Sequence, residues 1–249
     1  MSGASLRGML RQAADGAMRR PYSESFFSGQ ASGSRRSAEV VVPLILELVD
    51  ARSVVDVGCG VGTWLSVFEG QGVGDALGID GDYVPRDRLE IPAEHFRPAD
   101  LTRPLQADRR FDLAVSLEVA EHLPPATSEQ FVASLTSLAD LVLFSAAIPR
   151  QHGSGHVNER WQSWWAERFA EHGFLAVDCV RRRIWSDPRV EWWYAQNVIL
   201  YASREALARN QRLQAEHELM GTGQLSLVHP ARYVKWHERL RRVLPGAPR

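Results

Sequence analysis

Apolar positions along this chain alternate between two periods. The continuous run at 53 to 57 and Ala76 to Ile79 have strand length, and the stretch between them, 62 to 70, carries its apolar residues at helical spacing. Upstream, Val40, Val41, Leu44, Ile45 and Leu48 share one helical face from Ser37 onward, with Pro43 marking a kink or a first turn. Further strands are expected near Phe96, ending at Asp100, from Phe111 to Leu117, and from Leu141 to Ala146. Thr127 and Gln130 have the spacing of a capping box for a helix presenting Phe131, Leu135 and Leu138. Asn158 is expected to cap a helix with Trp161, Trp164, Trp165 and Phe169 inward, and Gly173 to stop it. Two strand-like segments near 175 to 185 and 192 to 202 close the pattern as an antiparallel pair packed by Trp185, Trp192, Trp193 and Tyr194. Strands alternating with helices predict an α/β fold, a doubly wound, mostly parallel seven-stranded sheet whose last strand pair is antiparallel.

The pattern divides the chain into an arm at 1–33, a domain at 34–202, and a helix with a basic tail at 203–249. The arm is rich in Gly, Ser, Ala and Arg but ends in the cluster Tyr22, Phe26 and Phe27, which needs somewhere to bury; a lid over a site is the expected use. The 249 residues suffice for one full-sized core with appendages. A net charge of -1 gives no overall basic field, so a nucleic-acid partner is not expected. Positive charge is almost all arginine, Lys235 being the sole lysine. Strand alternation would send Arg181, Arg182 and Arg183 to two faces rather than to one anion pocket. Two cysteines, Cys59 and Cys179, suit a reducing compartment, and no apolar run approaches about 20 residues, so a cytoplasmic protein without a membrane partner is expected.

Candidate chemistry begins at Val54-Val55-Asp56-Val57-Gly58-Cys59-Gly60-Val61-Gly62-Thr63, where three glycines alternate directly between a strand and a helix. They permit a tight turn and let a ligand approach bare backbone. A dinucleotide fingerprint would place the third glycine one residue later, at the pyrophosphate, so this spacing suits a ligand without phosphates. Asp80, at the end of the next strand, can accept from both hydroxyls of a ribose, and Asp100, at the end of the third, from an adenine amine. Residues 37 to 202 thus resemble the class I S-adenosylmethionine-dependent methyltransferases. The resemblance implies that Asp56, Gly58, Gly60 and Gly62 hold the methionine half of the cofactor and Asp80 and Asp100 its nucleoside, with Leu101 and Leu117 as apolar neighbours.

The fourth strand runs into Glu118-Val119-Ala120-Glu121-His122, beside the expected cofactor pocket. On one helical turn Glu118, Glu121 and His122 would share a face, and two carboxylates with an imidazole need a cation or a proton between them. His156, in the loop after the fifth strand, borders the same cleft and is expected to complete a four-ligand set for Mg²⁺ or Mn²⁺. This stretch resembles the terminal small-RNA 2′-O-methyltransferases and the ubiquinone-pathway catechol O-methyltransferases, the match being looser at His156. The resemblance implies a divalent ion that chelates two neighbouring hydroxyls and activates one of them. A metal-free route with His122 or His156 as general base stays open beside it. The expected acceptor is a vicinal diol on a sugar, glycoside or other polyhydroxylated small molecule, with a terminal ribose of RNA as the alternative. A homodimer is left open.

Overall fold

A computed structural model of the chain describes residues 24–220 and 224–234, with side chains from 33 onward. A long helix, α1 (Glu24–Leu48), leads into β1 (Ser53–Val57), and α2 (Thr63–Gly70) connects β1 to β2 (Asp75–Asp80). Short β3 (Phe96–Pro98) and β4 (Leu113–Leu117) follow, then α3 (Ser128–Leu138), β5 (Leu141–Ser145), α4 (Gln162–Glu171) and β6 (Phe174–Val177). Two short helices, α5 (Arg181–Ile184) and α6 (Trp192–Asn197), precede β7 (Ile199–Ser203), and α7 (Arg204–Arg209) and α8 (Gln211–Met220) come after it. The strands form one sheet in the order β3-β2-β1-β4-β5-β7-β6, parallel except for β7, which runs antiparallel to β5 and β6. This is the doubly wound seven-stranded sheet expected from the alternation of periods.

Each face of the sheet carries its own apolar layer. Ala38, Val41, Val42, Ile45 and Leu48 put one stripe of α1 against α2, with Leu65 and Phe68 beneath. Phe131, Leu135 and Leu138 of α3 and Trp165 and Phe169 of α4 cover the other face, where Phe169 stacks on Tyr201 at 3.9 Å. Burying such side chains contributes roughly 1.5 to 3 kcal/mol each, which is why Pro43 is tolerated inside α1.

Several local expectations are corrected. The segments near 175 to 185 and 192 to 202 are not two long strands: β6 stops at Val177, and α5 and α6 intervene before β7. Arg181 is the physical reason: it is buried, its guanidinium paired with Asp178 at 2.6 and 2.9 Å, a geometry that requires an i,i+3 turn. Arg182 and Arg183 both reach Glu216 on α8. Thr127 makes no capping bond, since its hydroxyl donates to the Pro124 carbonyl and Gln130 reaches Thr102 instead. Asn158 does not cap α4, whose N-cap is Trp161; its amide donates to the Ala120 carbonyl and to Ser128. Trp161 itself is 41% exposed. Tyr22, and the side chains of Phe26 and Phe27, lie outside the described residues, although the backbone at 24–33 is already part of α1.

Candidate active site

Strand order reverses between β1 and β4, and the crevice at the carboxyl ends of β1, β2 and β4 is where an open α/β sheet takes its ligand. Gly58 follows β1 with φ 87°, and a Cβ there would meet Val119 Cγ2 at 2.3 Å, so only glycine lets the post-β4 loop pack against it. Gly60 has φ 55° and open space where its side chain would be, so its bare backbone faces the cleft. Gly62 caps α2.

Asp80 organises this end. Its carboxylate accepts the Gly60 N–H at 2.7 Å, the Gly81 N–H at 2.6 Å and the Tyr83 hydroxyl at 2.6 Å. Asp56 is buried behind it, and desolvation together with the Asp80 charge pushes its carboxyl from 3.8 up to about 8.

Of the residues singled out from sequence, Asp56, Gly58, Gly60, Asp80, Leu101, Leu117, Glu118 and His122 line the cleft. Asp100 does not. β3 ends two residues before it, its side chain is 54% exposed, and its carboxylate closes a turn by accepting the Thr102 N–H at 2.9 Å and hydroxyl at 2.6 Å. Those Thr102 bonds hold its carboxyl below the usual range. The cleft also contains residues the sequence reading missed. Ser34 of α1 and Tyr194 of α6 hydrogen-bond across it at 3.0 Å, and Trp64 meets Tyr194 edge to face at 5.1 Å. Tyr83, three residues past Asp80, was detectable as a hydroxyl near a strand-end acid; Ser34 and Tyr194, separated by 160 positions, carried no local signal.

The side chains around His122 are assembled from two loops; of them Glu118 and His122 line the cleft, whereas Glu121 and His156 do not. Residues 118–122 do not form one helical turn: Glu118 has φ 56°, and only Ala120–His122 is a 3₁₀ turn. Glu118 is thereby turned toward two side-chain amides, its oxygens accepting from Asn197 and Gln151 at 3.1 Å each. Burial raises its carboxyl, and those amides oppose the rise. The loop after β5 docks on the 3₁₀ turn through the Val157 and Asn158 N–H groups, which donate to the Glu121 carbonyl at 2.8 and 3.0 Å. His156 is thus brought to His122, ring centroids 4.9 Å apart and nearly perpendicular. Glu121, His122 and His156 each offer one donor atom, all within 4.8 Å of one another, and among the described residues they are the group with this geometry. Glu118 stands outside the group but near enough for its charge to act on Glu121. Glu121 is 0% exposed and neither carboxylate oxygen has a hydrogen-bond partner within 3.5 Å; the Ala147 N–H and the Glu118 carboxyl are polar neighbours that still act on it. Burial and the Glu118 charge push its carboxyl well above the ordinary value. Burial and His156 lower His122 from 6.5 to about 4, so its imidazole is neutral at neutral pH.

The sheet order and the cleft have counterparts among solved structures. The sugar N-methyltransferase KedS8 from a Streptoalloteichus species superimposes with a TM-score of 0.58 at 16% identity, over 82% of this chain and 98% of that one. DesVI from Streptomyces venezuelae gives 0.54 at 16% identity, over 72% and 96%. The methyltransferase domain of a bacterial protein, CtHen1, gives 0.50 at 20%, over 68% and 97%. At these identities the likeness is one of fold. No curated protein sequence matches the chain. Among the described residues, no helix is long and apolar enough to cross a membrane. A methyltransferase-domain family model matches residues 30–178, from the end of α1 adjoining the cleft through β6, and the chain belongs to that family: it is an S-adenosylmethionine-dependent methyltransferase.

Proposed function

We propose that this enzyme is a divalent-metal-dependent O-methyltransferase acting on a vicinal diol of a sugar, glycoside or other polyhydroxylated small molecule. The observation that carries the proposal is Glu121, a fully buried carboxylate without a hydrogen-bond partner, set within 4.8 Å of two imidazoles. A carboxylate so placed costs several kcal/mol unless a proton or a cation compensates it. One oxygen donor with two nitrogen donors suits a borderline ion such as Mn²⁺ better than Mg²⁺. Glu121, His122 and His156 would hold it; Glu118, at the cleft wall, stands outside this group with its oxygens engaged by Asn197 and Gln151. When bound, such an ion supplies Lewis acidity to adjacent acceptor hydroxyls.

The chain's own residues do the rest. The Gly60 backbone and Asp80 orient the nucleoside of the cofactor, and Asp56 faces its methionine half. Leu117, Glu118, Val119 and His122, which line the cleft, would orient the acceptor toward the methyl group of the cofactor. His122, lowered to about 4, is too weak a base to deprotonate a hydroxyl near neutral pH, which favours the ligand role. A screen of sugars, catechols and RNA by mass spectrometry for the gain of one methyl group, run with and without chelator, tests the proposal. Methylation of a diol that chelator abolishes and Mn²⁺ restores is expected. Full turnover in chelator would defeat the metal and leave His156 as the base.

A further inference from the structure

The loop that carries His156 is closed by one carboxylate. Glu159 Oε2 accepts the Arg150 N–H at 2.6 Å, and Glu159 Oε1 accepts the His152 N–H at 2.7 Å. Arg150 and His152 have φ 65° and 58°, a left-handed conformation that costs a non-glycine residue of order 1 kcal/mol or more. Both turns aim an amide at the same acceptor. The third partner of that carboxylate is the imidazole itself, His156 Nδ1, 3.0 Å from Oε1, with both side chains largely buried. On the opposite side of the ring, Gly153 makes room: a Cβ there would lie 2.0 Å from Nε2.

We propose that Glu159 is a positioning residue that fixes His156 as the Nδ1–H tautomer and leaves the lone pair on Nε2. A carboxylate with two backbone donors already in place can only accept from the ring, so Nδ1 must carry the proton. The hydrogen bond also sets the ring plane, as a carboxylate does behind a metal-ligating histidine. The use of that lone pair rests on the reading of the site above, and it serves a metal ligand and a general base equally. Glu159 therefore joins the functional set without touching cofactor or acceptor.

The tautomer can be read directly. Long-range ¹H–¹⁵N spectra of the full-length, chelator-treated protein, with the His156 signals assigned from a His156→Gln variant, are expected to show a protonated Nδ1 and a bare Nε2 at neutral pH. Glu159→Ala should shift the ring toward the Nε2–H form, and Glu159→Gln, which keeps an acceptor oxygen, should hold the native tautomer in part. Turnover should fall about ten- to hundredfold in the alanine variant and less in the glutamine one, with S-adenosylmethionine binding unchanged. An Nε2–H tautomer in the native protein overturns the proposal without any variant having to fold. A native tautomer that survives in Glu159→Ala overturns it too, reducing Glu159 to a loop closure. A fully active His156→Gln would instead defeat the proposed use of the site, while the tautomer assignment stands on its own spectrum.

Discussion

The two ends of the site treat a buried carboxylate in opposite ways. At the glycine-loop end, Asp80 is satisfied by three donors at 2.6 to 2.7 Å, two from the loop after its own strand and one from the loop after β1. At the histidine end, Glu121 has no hydrogen-bond partner, and its neighbours are two imidazoles and another acid. A carboxylate with converging N–H and O–H donors has its desolvation offset by them. One without donors either holds a proton or meets a cation. The contrast is between a carboxylate surrounded by donors and one surrounded by imidazoles and another acid.

The largest expected effect breaks the second half of that comparison. Glu121→Gln keeps the shape and removes the charge, so turnover should fall by about a hundredfold or more, the scale of losing several kcal/mol of Lewis-acid stabilisation. Thermal stability measured in chelator should hold or rise, because replacing an uncompensated buried acid by a neutral amide removes a penalty. Steady-state assays with Mn²⁺ and calorimetric unfolding check both arms. Full activity, or a collapse in stability, would show Glu121 to be an ordinary structural acid.

Next in size is the cofactor end. Asp80→Ala removes a charged acceptor and should weaken S-adenosylmethionine binding by about 1.5 to 3 kcal/mol, near tenfold to a hundredfold. Asp100→Ala sharpens the point. Its carboxylate is half exposed and engaged with Thr102, so a change of no more than a few-fold is expected, whereas adenine contact would make the two losses similar. Titration calorimetry on both variants separates these outcomes.

What was legible in the sequence follows the same division. The sheet, the three glycines and Asp80 were readable because strand, turn and acid are contiguous and their geometry follows from period and backbone alone. Glu121, His122 and His156 were grouped from the sequence, but Glu118 was added to them. Helical spacing placed Glu118 with Glu121, and the left-handed backbone at Glu118 turns it instead toward Asn197, 79 positions away. Arg181 misled for a related reason: an arginine run looks solvent-facing until Asp178 and the Gln196 and Leu225 carbonyls are brought to it by tertiary packing. Contacts made across the fold decided the miss at Glu118, whereas Asp100 and Thr127 were turned aside by local bonds to Thr102 and Pro124.

The last comparison concerns Asp56, which is buried like Asp80 but does not share its donors. Its carboxyl lies near 8 in the folded protein against 3.8 for an unperturbed one, because burial and the Asp80 charge disfavour ionisation. The sign follows from proton counting. Between pH 4 and pH 8 the folded state keeps a proton that the unfolded chain has released, so this group's contribution is complete at the acid end of that range and is lost as pH rises through about 8. The slope approaches about 1.4 kcal/mol per pH unit for one fully coupled proton. Glu118 and Glu121 are raised as well and act in the same direction, so the test is a difference: unfolding free energy against pH for the native protein and for Asp56→Asn. The variant should be flatter by one proton's worth and more stable at pH 8. Parallel curves for the two proteins would mean that Asp56 is ionised in the folded state, with the Asp80 end of the cleft better solvated than its burial implies.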